Sequence, residues 1–355
     1  MARFSEVFRC SGVDESPNVP GKPKVPGMIV SPKGWNLVAL EDGPRLRVHC
    51  DNKNIRIEEL QETAVIKLAR LALNFKLSMQ NVDPQFRDSY MPHILSSNAR
   101  FFKIHGKGLV DDPGTLVQAS AGCKVEAMIR VVVLDLMRVK LAFGNVAVPD
   151  ENGRPVFHAD KPSDPQQELD QMNAIWTPQT QIAFDLISAD PILINDRDKS
   201  IREEIARSLG LIAKEGSFPQ DVDTGKLRTI FNRCKNTQVD LTIFVVQQIH
   251  LKVDRPHGTT DPEWNFCVLS SSHSPSTAAH EAGHYLFGEM KGGKWHTLHH
   301  PWASNDPDKT PLMRDGGAGF KVQFDLVLQA RKFISKHHGA GAGKKKQKSC
   351  RWGQS

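Results

Sequence analysis

The run "KVEAMIRVVVLDLMRVKLAFGNVAV", residues 124–148, constrains the fold more than any other part of this chain. In its first half Val125, Ala127, Ile129, Val131 and Val133 alternate with mostly polar residues, the period-2 pattern of a half-buried strand. Its second half, "MRVKLAFGNVAV", predicts another strand. Before this run the chain has only short apolar segments broken by turn residues: "MIVSP", "WNLVALEDG", "LRVHCDN", "NIRIEEL", "RFFKIHGKG" and "TLVQAS". Strands at such regular spacing point to a β-sandwich. After Leu136 strands and helices alternate, so Leu136 divides an all-β region, 28–136, from a mixed one, 137–336. The chain of 355 residues is long enough for two such domains, and its 39% hydrophobic content can give each a core.

Local signals place the elements of the second region. Asp164 is an N-cap and Pro165 a first helical residue for a helix over about 165–177, with Leu169, Met172, Ile175 and Trp176 on one face. "IAFDLISA", "VDLTIFVVQQIHL" and "WNFCVLSS" read as strands. Ser200 and Glu203 form a capping box before "IREEIARSLGLI", and Leu227, Ile230, Phe231 and Cys234 mark a short helix. "LQETAVIKLARLALNFKL", residues 60–77, fits a helix by composition and a pair of strands by alternation, and stays open between them.

The two ends read as extensions. Residues 1–27 are rich in Pro, Gly, Ser and charge and predict a flexible arm; residues 337–355 predict a flexible tail. The formal net charge of +6 owes much to that tail, through Lys344, Lys345, Lys346, Lys348 and Arg351, so it does not mark the body as a specific nucleic-acid binder. Six scattered cysteines with no C-x-x-C spacing give neither a zinc finger nor a disulfide framework. No apolar leader and no 18-residue apolar stretch stand in the sequence, which predicts a soluble chain without a transmembrane segment, cytoplasmic or exported by a signal-independent apparatus.

Chemistry concentrates in "SPSTAAHEAGHYLFGEMKGGKWHTLHH". Ser274 and Pro275 form an N-cap and N1 pair for a helix that carries His280, Glu281 and His284 in its second and third turns. Residues four apart share a helix face, so His280 and His284 can offer two imidazole nitrogens to one zinc ion while Glu281 reaches a water as general base. A catalytic zinc takes a third protein ligand and keeps a position for water. No glutamate follows Glu289, so the third ligand is sought among His296, His299 and His300; "GEMKGG" then acts as an insertion that turns the chain back to deliver His296.

The H-E-x-x-H segment, with "TPLMRDGG" and the helix-like "KVQFDLVLQARKFISK" behind it, resembles the metzincin clan of zinc peptidases, whose pattern is H-E-x-x-H-x-x-G-x-x-H followed by a Met-turn. The chain departs from it in the middle, with Phe287 and Met290 where that pattern has Gly and His. The resemblance implies an α+β zincin fold over 137–336, one catalytic Zn2+ held by His280, His284 and His296 (or His300 or His299 as third ligand), and Met313 as a hydrophobic base beneath it. It also implies a protein or peptide substrate laid antiparallel to an edge strand, expected near residues 264–270. "RFFKIHGKGLVDDPGTLVQASAGCKVEAMIRVVVLD" resembles the last strands of bacterial Ig-like repeats, which implies an Ig-like β-domain over 28–136 that attaches or spaces the catalytic half. The expected whole is a multidomain chain: an all-β Ig-like sandwich, then a metzincin-like zinc endopeptidase, with docking through the Ig-like domain or the basic tail. The alternative is a non-catalytic zincin-fold binding or structural module, as part of an exported effector, whose extra histidines close the metal's fourth position.

Overall fold

The computed structural model describes residues 2–7, 12–14, 25–61, 63, 98–149, 155–157, 162–193, 231–232, 234–246, 258–261, 265–274, 276–291, 294–296, 312–313, 319 and 321–337. In chain order the strands are β1 (Arg3–Glu6), β2 (Val13–Asp14), β3 (Gly27–Val30), β4 (Trp35–Glu41), β5 (Arg47–His49), β6 (Ile55–Leu60), β7 (Arg100–Gly106), β8 (Val110–Ala121), β9 (Lys124–Val133), β10 (Met137–Pro149) and β11 (Pro155–Phe157). Helix α1 (Pro165–Thr180) is followed by β12 (Ile182–Ser188), β13 (Ile192–Leu193), β14 (Leu241–Val246), β15 (Gly258–Asp261) and β16 (Phe266–Ser270). Helix α2 (Thr277–Leu286), the short strands β17 (Glu289–Lys291) and β18 (Lys294–His296), and helix α3 (Phe324–His337) complete the set. The capping box at Ser200, the segment 64–77 and the tail 338–355 lie outside the described residues.

Two sheets build the first half. One has the order β1-β4-β7-β6 and is antiparallel throughout; the other runs β2-β3-β9-β8-β5, with β3 and β9 parallel. Side chains of both enclose one apolar core that includes Phe4, Met28, Val38, Phe102, Ile104, Val117, Ile129 and Val131. The alternation in β9 therefore points where its period predicts, with Ile129, Val131 and Val133 inside and Val125 at the exposed start of the strand.

The expected arm is corrected: Arg3–Glu6, Val13–Asp14 and Gly27 are strand residues, and Phe4, Val7 and Val13 are buried. Composition misled there because the apolar residues of 1–27 are few, yet Phe4, Val7 and Val13 are buried. Phe4 and Val13 enter the sandwich core.

The second half is a mixed sheet whose central order is β12-β10-β14-β16-β15. Neighbours in it are parallel except β15, which pairs antiparallel with β16 (Thr259 opposite Val268) and, among the described residues, with nothing else. Strand β10 is long enough to pair also with β13 and β11 beyond its middle. Phe266–Ser270 is consequently an interior strand, flanked by β14 and β15, and the edge expected at 264–270 belongs to Gly258–Asp261. The apolar run "FCVLS" is the signature of that interior place, since a strand covered on both faces is apolar at every position.

The halves share a layer. In β3, Met28 and Val30 face the sandwich core while Ile29 joins the core of the second half; in β9, Val131 and Val133 face one way and Val132 the other. That is why "VVV" ends a strand that begins by alternating with polar residues. Helix α3 seals the junction. Its first amide, Phe324 N–H, donates to Asp14 Oδ2 at 3.0 Å, so a strand residue caps the helix from 310 positions away. Arg130 pairs with Asp325 at 2.8 Å and lies over the Phe324 ring, while a Cβ at Gly27 would collide with that ring. Arg331 donates to the carbonyls of Thr180 and Gln181 at the end of α1 and to that of Asp135, which satisfies helix-end acceptors with a cation. Burial lowers its pKa to about 10.

Candidate metal centre

Helix α2 owes its position to small side chains and to its neighbours. Ala278, Ala279 and Ala282 are fully buried, and their size lets the helix backbone approach α1 closely enough for Trp176 Nε1–H to donate to the Ala279 carbonyl at 3.1 Å. Asp164 caps α1 as expected, accepting from the amides of Gln166 and Gln167, and Leu169, Met172, Ile175 and Trp176 form its buried face. The α2 boundary is corrected: the helix starts at Thr277, so His280 and Glu281 fall at its first and second turns. Ser274 turns inward instead of capping, with its amide donating to Thr277 Oγ1 at 3.1 Å.

Before the helix, His273 is held between the Ser270 carbonyl (Nδ1, 2.5 Å) and Glu168 of α1 (Nε2, 2.9 Å). Burial, the largest influence on this imidazole, opposes its charge. The hydrogen bond and charge of Glu168 together with the Ser270 carbonyl outweigh it, and the net pKa is raised.

The structure brings His280, Glu281 and His284 together, with one ligand atom from each within 4.8 Å of the others. His280 Nδ1 lies 2.6 Å from the carbonyl oxygen of Leu312. A carbonyl only accepts, so Nδ1 carries the proton and Nε2 keeps its lone pair. His280 Nε2 and His284 Nε2 are 3.2 Å apart, with the rings nearly perpendicular. Two nitrogens at about 2.0–2.1 Å from a tetrahedral ion are separated by roughly 3.3 Å, so the spacing fits zinc. Met313 follows Leu312 directly, is fully buried, and presses its sulfur against the place a side chain at Gly283 would take. The residue expected as hydrophobic base thus packs under the helix that bears both histidines.

Glu281 is enclosed by the edge strand. Thr260 Oγ1 lies 2.5 Å from its Oε2 and 2.9 Å from its backbone carbonyl, and a Cβ at Gly258 would come within 2.7 Å of its Oε1. Burial raises its pKa to about 7, against the opposing hydrogen bond from Thr260. Neither Gly258 nor Thr260 is visible as a site residue in the sequence; "HGTTDPEWNF" carries only a hairpin signal, a β-branched pair followed by a proline turn.

The remaining expectations divide. Strands β17 and β18 pair antiparallel, with Lys291 opposite Lys294 and the backbone of Glu289 opposite that of His296. His299 and His300 lie outside the described residues. Phe287, where the resemblance has glycine, is buried against Trp176, and its carbonyl accepts from Gln329 of α3 at 2.8 Å. Helix α2 therefore ends by anchoring in the core, and the glycine turn is replaced by the hairpin. Tyr285 is also a core residue, its phenol pushed far above the usual value by burial and then by the negative charges of Asp240 and Cys267.

No protein-family model matches the chain, and no curated protein matches its sequence. No helix among the described residues is long and apolar enough to cross a membrane.

Proposed function

We propose that the chain is a zinc-dependent endopeptidase, metzincin-like in its second half, whose β-sandwich half is an Ig-like attachment domain. One observation carries the reading: two Nε2 atoms 3.2 Å apart, that of His280 kept unprotonated by the carbonyl that precedes Met313, with a buried carboxylate one residue along the same helix. The sheet order supports it, because the resemblance implies one antiparallel edge strand beside the site and β15 occupies that place.

His280 and His284 would hold the ion, with His296 as third ligand. Bound zinc would supply a Lewis acid that acidifies water and polarises the scissile carbonyl. Glu281 takes a proton from the attacking water and returns it to the leaving amine. Leu312 holds His280 in the tautomer that can ligate, and the side of β15 that meets no described strand would pair with an extended peptide.

Elemental analysis of zinc, run beside cleavage of an unfolded protein, tests the reading. Wild type should carry stoichiometric zinc and cleave; His284→Ala should lose both, and so should His296→Ala. Full zinc and cleavage in His296→Ala would pass the third-ligand role to His299 or His300. Zinc-replete wild type that cleaves nothing would favour a closed, non-catalytic histidine site.

A further inference from the structure

Resting on the peptidase reading, we infer that Thr260 is a positioning residue for the general base: from the edge strand it grips one oxygen of the Glu281 carboxylate and leaves the other to work. The two oxygens stand in different surroundings. Oε2 lies 2.5 Å from the Thr260 hydroxyl. Oε1 lies where Gly258 has no side chain, and any Cβ there would come within 2.7 Å of it and 2.8 Å of Cγ. Gly258 and Thr260 are alternate residues of β15 and so present the same face to the helix. Thr260 holds Oε2, and the absent side chain of Gly258 makes room for Oε1.

The choice of a hydroxyl follows from what a general base must do. During turnover Glu281 is a carboxylate that accepts the water's proton and then a carboxylic acid that releases it. A hydroxyl both donates and accepts. Against the carboxylate, Thr260 donates to Oε2. Against the acid it can accept from Oε2 and turn its own proton to the Glu281 carbonyl, which is 2.9 Å away. An ammonium, which only donates, would hold the carboxylate and not the acid. The same strand is where an extended substrate would pair, so a bound peptide would bear on the strand that orients the base.

The test separates this role from simple filling. Thr260→Val keeps the shape and removes the hydroxyl; Thr260→Ser keeps the hydroxyl; Thr260→Ala serves if the valine variant does not fold. With zinc content equal to wild type, Thr260→Val should lower kcat about 10- to 100-fold at unchanged KM, and Thr260→Ser should restore it. A second readout needs no activity. In the metal-free protein, the infrared carboxyl band assigned to Glu281 by difference against Glu281→Gln should shift in Thr260→Val and Thr260→Ala but not in Thr260→Ser. An unshifted band, wild-type kcat in Thr260→Val, or a Thr260→Ser variant as slow as Thr260→Val would each overturn the inference. Absence of cleavage by zinc-loaded wild type would instead overturn the peptidase reading, whatever the band does.

Discussion

The two cores of this molecule use buried polar groups in opposite ways. In the first half each of the buried acidic groups has a cation or a backbone amide as partner: Glu6 meets Lys321, Asp14 the first amide of α3, and Glu41 Arg3 together with the Ser5 hydroxyl. In the second half one set of buried polar groups gathers at a single helix: His280, Glu281 and Thr277 lie on α2, Ser270 and His273 lead into it, and Glu168 reaches His273 from α1. A buried carboxylate costs stability unless it is paired or protonated. The first half uses its buried carboxylates as clasps, whereas the second holds Glu281 with, among the described residues, the Thr260 hydroxyl against its carboxyl and a raised pKa. That contrast is the physical mark of a site as distinct from a joint.

Breaking the contrast should have graded effects. The largest falls on the scaffold of the site: Trp176→Ala removes a fully buried ring and the bond to Ala279, and should cost about 3–5 kcal/mol in urea unfolding. Next comes the buried carboxyl of Glu281. Folding raises the Glu281 pKa from 4.5 to about 7, so the folded chain prefers the protonated form. That contribution, about 3 kcal/mol, is fully present below pH 4.5 and is lost as pH rises through 7. Metal-free wild type should therefore lose stability over that range relative to Glu281→Gln, and parallel curves for the two would contradict the assignment. A smaller effect belongs to the joint: Asp14→Ala removes the cap of α3 and should cost about 1 kcal/mol, with the sandwich core intact. Smallest is the surface pair His105–Glu58, where Glu58→Gln should leave the urea midpoint unchanged.

How much of this was legible depended on whether a signal is local. The strands of both halves followed from alternation and β-branched runs, and α1 followed from Asp164, Pro165 and its apolar face. The pair His280 and His284 was legible because helical spacing alone puts residues four apart on one face. The contacts that complete the site were not. Leu312 acts through a backbone carbonyl, for which any residue would serve, and Thr260 acts from a strand whose place at the edge is a matter of sheet order. Residues 3–14 were misread for the same reason: Asp14 caps a helix 310 positions away, and composition carries no trace of that partner.

The most direct test of the central claim is cleavage of an unfolded protein by zinc-loaded chain, wild type against Glu281→Gln, at matched zinc content. A general base contributes on the order of 10²–10⁴-fold, so the variant should hold its zinc and lose cleavage by that factor. Equal cleavage by the two, with zinc bound in both, would contradict the role of Glu281 and the mechanism built on it.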